Sequence, residues 1–203
     1  MAFTEDRQER VIAACAKSAH EHGRLCPRQV LGVRMGYAAM DVLRLGDGPV
    51  PGKRLLVVVE TDGCFADGVS AATGCTLGHR TMRLVDYGRV AITAIDTLDG
   101  SAIRMAPRPG ARETAWCYAA EETDRYGAQL TGYQSMPVEQ LLNFQAVTLN
   151  LDLDALLGNA ACREDCTGCG EEILNGRAVW TEDGPLCPAC RAEAYYTDNP
   201  ARS

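Results

Sequence analysis

The sequence predicts an α+β fold, an antiparallel sheet with packed helices, followed by a small C-terminal zinc ribbon. Three observations predict it: helix-period segments open the chain, short apolar runs punctuated by glycine turns fill its middle, and two CxxC pairs stand near its end. With 203 residues, 46% hydrophobic and 23% charged, there is room for one sizeable core and a small appendage rather than two full domains.

The elements follow in order. From Thr4 to His20, Val11, Ile12, Cys15 and Ala19 lie on one helical face with charges opposite, and Gly23 terminates the helix. Pro27 suits the first position of a second helix running to about Leu45, because its missing N–H costs nothing there, and Gly46 stops it. Within that helix Gly32 and Gly36, four apart on an apolar side, predict close approach of another backbone. After the turn-rich GDGPVPG, RLLVVVE reads as a buried strand ending at Glu60, followed by a short helix from Phe65 to Ala72. Met82 to Val85, Val90 to Ile95 and Ser101 to Met105 are strand-like, and the turn signals Tyr87-Gly88 and Asp99-Gly100 predict an antiparallel meander. A helix is expected from Glu113 to Tyr126, a shorter one from Pro137 to Leu142, and a last strand from Phe144 to Leu151. Composition shifts near Asp152, which divides a core domain, 1–158, from a ribbon domain, 162–196, with the boundary near residue 160.

Ten cysteines beside three histidines are the unusual feature of the composition. The first twenty residues are charged throughout, so a signal peptide is not expected and the reducing cytoplasm is. The longest apolar stretch, Leu55 to Val59, is far short of the roughly 20 residues that span a bilayer. Several thiols are then expected to be metal ligands or reactive groups. A net charge of −7 makes nucleic acid a poor partner. From Cys162 to Ser203, four arginines against eight acids leave −4, which discourages a nucleic-acid role for the ribbon as well.

Cys166, Cys169, Cys187 and Cys190 give CxxC, seventeen intervening residues, then CxxC. Each CxxC turn places two thiolates on one knuckle, and two knuckles meet the need of a tetrahedral ion for four soft ligands. A structural zinc is the expectation, although iron in a rubredoxin-like site uses the same knuckles and spacing alone does not separate the two metals. Gly170 permits the tight knuckle, and Arg177 to Thr181 with the turn EDG suggests a hairpin. Cys162 reads as a spare thiol.

In the core, Cys15 and Cys117 sit among small apolar residues and read as packing. Cys26 precedes Pro27 as the N-cap of the second helix, where free amides and the helix dipole favour a thiolate and Arg24 adds a cation. Cys64 follows the buried strand just before a helix, and Cys75 sits in the loop TGCT with His79 beyond it. His22, Cys26, Glu60, Cys64, Asp67 and Cys75 are residue types that suit a thiolate and imidazole metal site with carboxylates for proton transfer, if they converge. The competing reading is that they are simply packed or solvated. No GxGxxG, P-loop, GxSxG or HExxH pattern is present.

The run HGRLCP, then LGVRMG, then VVVETDGCFADGVSAATGCTLGHRTMRLVDYGRVAIT, resembles the FmdE-like family, named for a component of formylmethanofuran dehydrogenase, in which a zinc ribbon sometimes follows the core. The resemblance implies an α+β core that forms homodimers, with a cavity near the dimer interface to which His22, Cys26, Cys64, Asp67 and Cys75 belong. Two departures stand out. The family pattern HGHxCPG is here His22-Gly23-Arg24-Leu25-Cys26-Pro27-Arg28, so arginine replaces the second histidine, and His79 stands where a lysine is usual after TGCTxG. A second metal ion in the core cleft would lose a ligand by the first change, whereas a small anionic or thiol-reactive ligand would gain a counter-charge.

In the leading reading, a metal-binding enzyme or redox-enzyme accessory, Cys26 is thiolate ligand or nucleophile, Asp67 or Glu60 handles protons, and Arg24 orients negative charge. His22, Cys64, Cys75 and His79 bind the ligand. The alternatives are a dimeric adaptor that docks a redox-enzyme complex through the ribbon, and a metallochaperone. Molybdenum or tungsten chemistry does not follow from the family name.

Overall fold

The computed structural model describes residues 5–46, 50–150, 152–158, 161–192 and 194–197. The expected helix start at Thr4, the centre of GDGPVPG and the boundary near residue 160 lie outside the described residues, as does Leu151. The last strand, expected from Phe144 to Leu151, runs instead over Leu142–Ala146, because the strand it pairs with begins at Ala102 and offers 148–150 no partner. The chain divides into two units, Met1–Leu149 and Asn150–Ser203.

In the first unit, α1 (Glu5–His22) buries Val11, Ala14, Cys15 and Ser18, a stripe with the i, i+3, i+4, i+7 spacing of a helix face. Ile12, expected on that face, is exposed. The stripe is centred one position away because Ser18 accepts a buried hydrogen bond from Gln29 Nε2 at 2.9 Å and so turns inward. The second helix, α2 (Pro27–Val42), ends before the expected Leu45. Arg44 takes a left-handed conformation (φ 54°), and the Leu45 amide donates to the Met40 carbonyl at 2.9 Å, closing the helix end. The third, α3 (Cys64–Thr73), is closed by Gly74 at φ 71°.

Helices α2 and α3 touch through backbone. A Cβ on Gly32 would strike the Phe65 carbonyl, one on Gly36 would lie 2.8 Å from Ala72 Cβ, and one on Gly68 would strike the Gln29 carbonyl. The expected close approach at Gly32 and Gly36 is present, with Gly68 as its third member.

The sheet has the order β2-β1-β3-β4-β5. Its strands are β1 (Leu55–Val59), β2 (Met82–Leu84), β3 (Ile92–Asp96), β4 (Ala102–Pro107) and β5 (Leu142–Ala146). Three of the four pairings are antiparallel, but β2 runs parallel to β1. The expected meander is thus corrected: β3 and β4 form a hairpin, while β2 lies on the far side of β1 and is reached through the α3 crossover that a parallel pair needs. The Tyr87-Gly88 turn does not join neighbouring strands. It carries the chain around the end of β1, where the Glu60 carbonyl accepts from the Tyr87 and Arg89 amides at 3.0 and 3.1 Å. Leu55, Val57 and Val59 alternate toward a core shared with Val30, Val33, Phe65, Ile92 and Met105.

The single helix expected from Glu113 to Tyr126 is broken. A short α4 (Ala111–Thr114) runs into a 3-10 turn (Ala115–Tyr118), and α5 (Arg125–Ser135) starts afresh because Asp124 caps it, accepting from the Tyr126 and Gly127 amides at 2.7 and 3.0 Å. Cys117, expected to pack in the core, is exposed on the 3-10 turn. Buried Arg34 ties α2 to α5, donating to the Tyr133 and Met136 carbonyls at 2.6 and 2.8 Å, and burial lowers its pKa to about 10. A short α6 (Val138–Leu141) leads into β5.

In the second unit, α7 (Leu153–Gly158) precedes two small hairpins, β6 (Arg163–Asp165) with β7 (Glu172–Leu174) and β8 (Val179–Thr181) with β9 (Gly184–Leu186), then α8 (Pro188–Arg191). The chain is α+β with a C-terminal four-cysteine module. Among the described residues no helix is long and apolar enough to cross a membrane.

Candidate functional site

Among the described residues, cysteines gather with other polar side chains in two places, one in each unit. In the second unit, β6 and β7 flank the knuckle bearing Cys166 and Cys169, while Cys187 and Cys190 occupy the N-cap and third residue of α8. Gly170 has φ 78°, the left-handed conformation that the knuckle requires. The four sulfurs lie within 4.8 Å of one another. The Cys187 amide donates to Cys166 Sγ at 3.2 Å and the Cys190 amide to Cys187 Sγ at 3.3 Å. Backbone amides of Cys187 and Cys169 pull the Cys166 thiol down to about 6, whereas neighbouring sulfurs, Cys187 first, push Cys190 up to about 12. Four crowded sulfurs cannot all ionise unless a cation neutralises them, so the donor set fits a soft metal ion.

In the first unit the site grows from helix ends. Cys26 caps α2 in a capping box: its amide donates to Gln29 Oε1 at 2.7 Å, and the other end of the Gln29 amide holds Ser18 of α1. Gly63, at φ 66° and ψ −150°, turns the chain from β1 into α3 and sets Cys64 at the first position of α3. The glycine contact between α2 and α3 then brings the two thiols together. Burial raises the Cys64 pKa first, the hydrogen bond with Cys26 raises it further, and Arg28 pulls the other way. His22, in the last turn of α1, reaches across to α3: its Nε2 lies 3.1 Å from Cys64 Sγ and its Nδ1 3.0 Å from Asp67 Oδ2. An Nδ1–H donated to Asp67 leaves the Nε2 lone pair directed at the sulfur. Both side chains are partly exposed, so the cluster is open to solvent.

The other residues singled out in the sequence lie elsewhere. Cys75 follows α3 whereas Cys64 opens it, and ten helical residues at about 1.5 Å each hold them roughly 15 Å apart, which corrects the expected convergence of Cys75 with Cys26 and Cys64. Cys75 donates to the Leu55 carbonyl at 3.5 Å, and burial raises its pKa. With His79, Thr73 and Thr81 it lines a separate cavity of about 160 Å³. The expectation that Glu60 handles protons is also corrected. Its oxygens accept from Arg104 at 2.7 and 2.8 Å and from Arg89 at 2.8 Å, and Arg104 chiefly holds its pKa below the usual carboxylate value. Glu60 is a buried structural anion. Arg24 is exposed in the connector between α1 and α2.

Sequence reading missed Gln29, whose position three residues after Cys26 is the capping-box spacing with cysteine in the serine place. It also missed a cavity of about 490 Å³ between the start of α2, the segment 107–113 and α5, lined by Arg28, Arg108 and Arg112. The signal for it was PRPGAR, a turn with arginines four apart.

Residues 21–147 match the family model described as FmdE, molybdenum formylmethanofuran dehydrogenase operon. The chain belongs to the FmdE family. The matched range contains His22, Cys26, Cys64, Asp67, Cys75 and His79, and stops before the cysteine quartet. A relative in Archaeoglobus fulgidus, a probable S-adenosyl-L-methionine-binding protein, is 34% identical over 100 residues, which are 48% of this chain and 27% of that protein. The chain therefore spans about a quarter of that relative's length. The fold is that of a crystal structure from Syntrophus aciditrophicus, a tungsten formylmethanofuran dehydrogenase FmdE-like protein, with a TM-score of 0.56, 19% identity, and coverage of 92% of this chain and 95% of the other.

Proposed function

We propose that this FmdE-family protein binds two metal ions per chain: a structural zinc in a ribbon domain, 162–196, and a second ion in the core domain, 1–158, held by Cys26, Cys64 and His22. For the ribbon, tetrahedral zinc about 2.3 Å from each sulfur puts sulfurs about 3.8 Å apart. Cys169 and Cys187 stand 4.0 Å apart, which supports the fit.

The observation that carries the core site is the chain from Asp67 through His22 to Cys64, with links of 3.0 and 3.1 Å. A carboxylate behind an imidazole is the arrangement that orients histidine toward a metal. Two thiols and one imidazole leave a position open, the pattern of reacting rather than structural ions. The ion would act there as a Lewis acid on a bound ligand. Asp67 fixes the His22 tautomer, Arg28 supplies positive charge to Cys64, and Arg24, exposed in the connector, orients negative charge. We read the core as acting on a small molecule in the cytoplasm, as an enzyme or as accessory to a redox enzyme, and as pairing with a second copy of itself. The relatives' names, with their S-adenosyl-L-methionine and formylmethanofuran dehydrogenase connections, support that reading.

A second reading, thiol chemistry without an ion, is favoured by one fact: among the described residues only the ribbon quartet has all its ligand atoms within 4.8 Å. Elemental analysis of the full chain separates the two. The first reading expects about two ions per chain, falling to about one in Cys26→Ser/Cys64→Ser. Equal content in both proteins refutes it.

A further inference from the structure

We propose that the core unit carries an anion-binding pocket, built on Arg28, Arg108 and Arg112, for a small organic molecule bearing two negative charges as a phosphate or a pair of carboxylates. The cavity holds about 490 Å³, within the range of small-molecule sites. Three guanidinium groups reach it from different pieces of chain: the first turn of α2, the turn after β4, and α4. Among the described residues, the single acid in its lining is Glu113. Three positive charges against one leave about plus two, in a chain whose net charge is −7. Such a local excess sets the charge of the ligand.

The rest of the lining suits the same occupant. Pro107, Pro109 and Leu31 give an apolar wall, beside which charge–charge attraction is less screened than in open water. Guanidinium forks match the planar geometry of carboxylate and phosphate oxygens. The pocket is also held in shape. Arg108 is fixed by its amide on the Leu141 carbonyl at 2.9 Å and its Nη1 on the Glu139 carbonyl at 3.3 Å. Tyr133, at the α5 side, is anchored through the carbonyl that Arg34 grips at 2.6 Å. None of Cys26, Cys64, His22 and Asp67 lines the pocket, so the inference does not rest on the second metal ion.

The test titrates the full chain at low ionic strength with inorganic phosphate and, separately, with succinate, followed by calorimetry. Saturable binding of at least one is expected, weakened about tenfold or more by Arg28→Gln and by Arg112→Gln. Preference for phosphate or for succinate names the group that the pocket takes. Thermal unfolding identifies which arginine variants keep the fold, with Arg108→Gln as the reserve. No saturable binding of either probe, or equal affinity in the folded arginine variants, overturns the proposal.

Discussion

Substituting Gly68 by alanine should force α2 and α3 apart and loosen the thiol pair at their ends. The added Cβ would strike the Gln29 carbonyl oxygen and lie 2.9 Å from the Gln29 carbonyl carbon and Cα. Carbon atoms prefer about 3.5–4.0 Å, so the helices must separate by roughly 1 Å. Every atom met is backbone, and no side chain can rotate to make room. Overpacking of this kind costs about 3 kcal/mol, and the better helix propensity of alanine returns about 1 kcal/mol, leaving a net loss of about 2 kcal/mol. Urea unfolding measures it, with Gly78→Ala as control, because a Cβ on Gly78 meets nothing within 4 Å. The control should stay within about 0.5 kcal/mol of the parent protein. Should Gly68→Ala also fall within that margin, the backbone contact does not hold the helices as described.

Three further outcomes are expected. Asp67→Asn, which weakens the orientation of His22, should lower core metal affinity about 10- to 100-fold in a chelator competition while leaving ribbon metal in place. Glu60→Gln, which loses its ion pairs with Arg104 and Arg89, should cost about 2 kcal/mol at pH 7. Because the folded Glu60 pKa is depressed, its contribution is present above the ordinary value of 4.5 and disappears as pH falls through the lower folded value. Urea midpoints of the parent should therefore drop more steeply below pH 4.5 than those of Glu60→Gln. Cys187→Ser, which removes a sulfur ligand while leaving a hydroxyl able to cap α8, should release the ribbon metal and expose Cys166, now buried, to alkylation that mass spectrometry can count.

What the sequence made legible was local. The β1 run, the helices and the CxxC knuckles each draw their signal from adjacent residues, and so does the α+β class. The parallel placement of β2 was not legible, because alternation shows which side of a strand is apolar but not which strand lies beside it. Asp124 was legible in principle as a cap, yet its neighbours share enough helical pattern to mask the break. The separation of Cys75 from Cys64 was already implied by the helix expected from Phe65 to Ala72, which spans about 12 Å, and α3 at ten residues widens it. His22, Cys26, Cys64 and Asp67 meet because glycines let two backbones touch, a fact hinted at by Gly32 and Gly36 but completed by Gly68.

The central place of β1 has a consequence for how the core opens. Strand β1 is bonded to β2 on one edge and β3 on the other, and all five of its residues are buried. Its amide hydrogens should exchange with solvent only when the sheet as a whole comes apart, the slowest class of native-state exchange. Cys64 stands five residues beyond Val59, so the paired thiols are tethered to the last part of the fold to let water in. Fraying at the sheet edges can proceed without disturbing them.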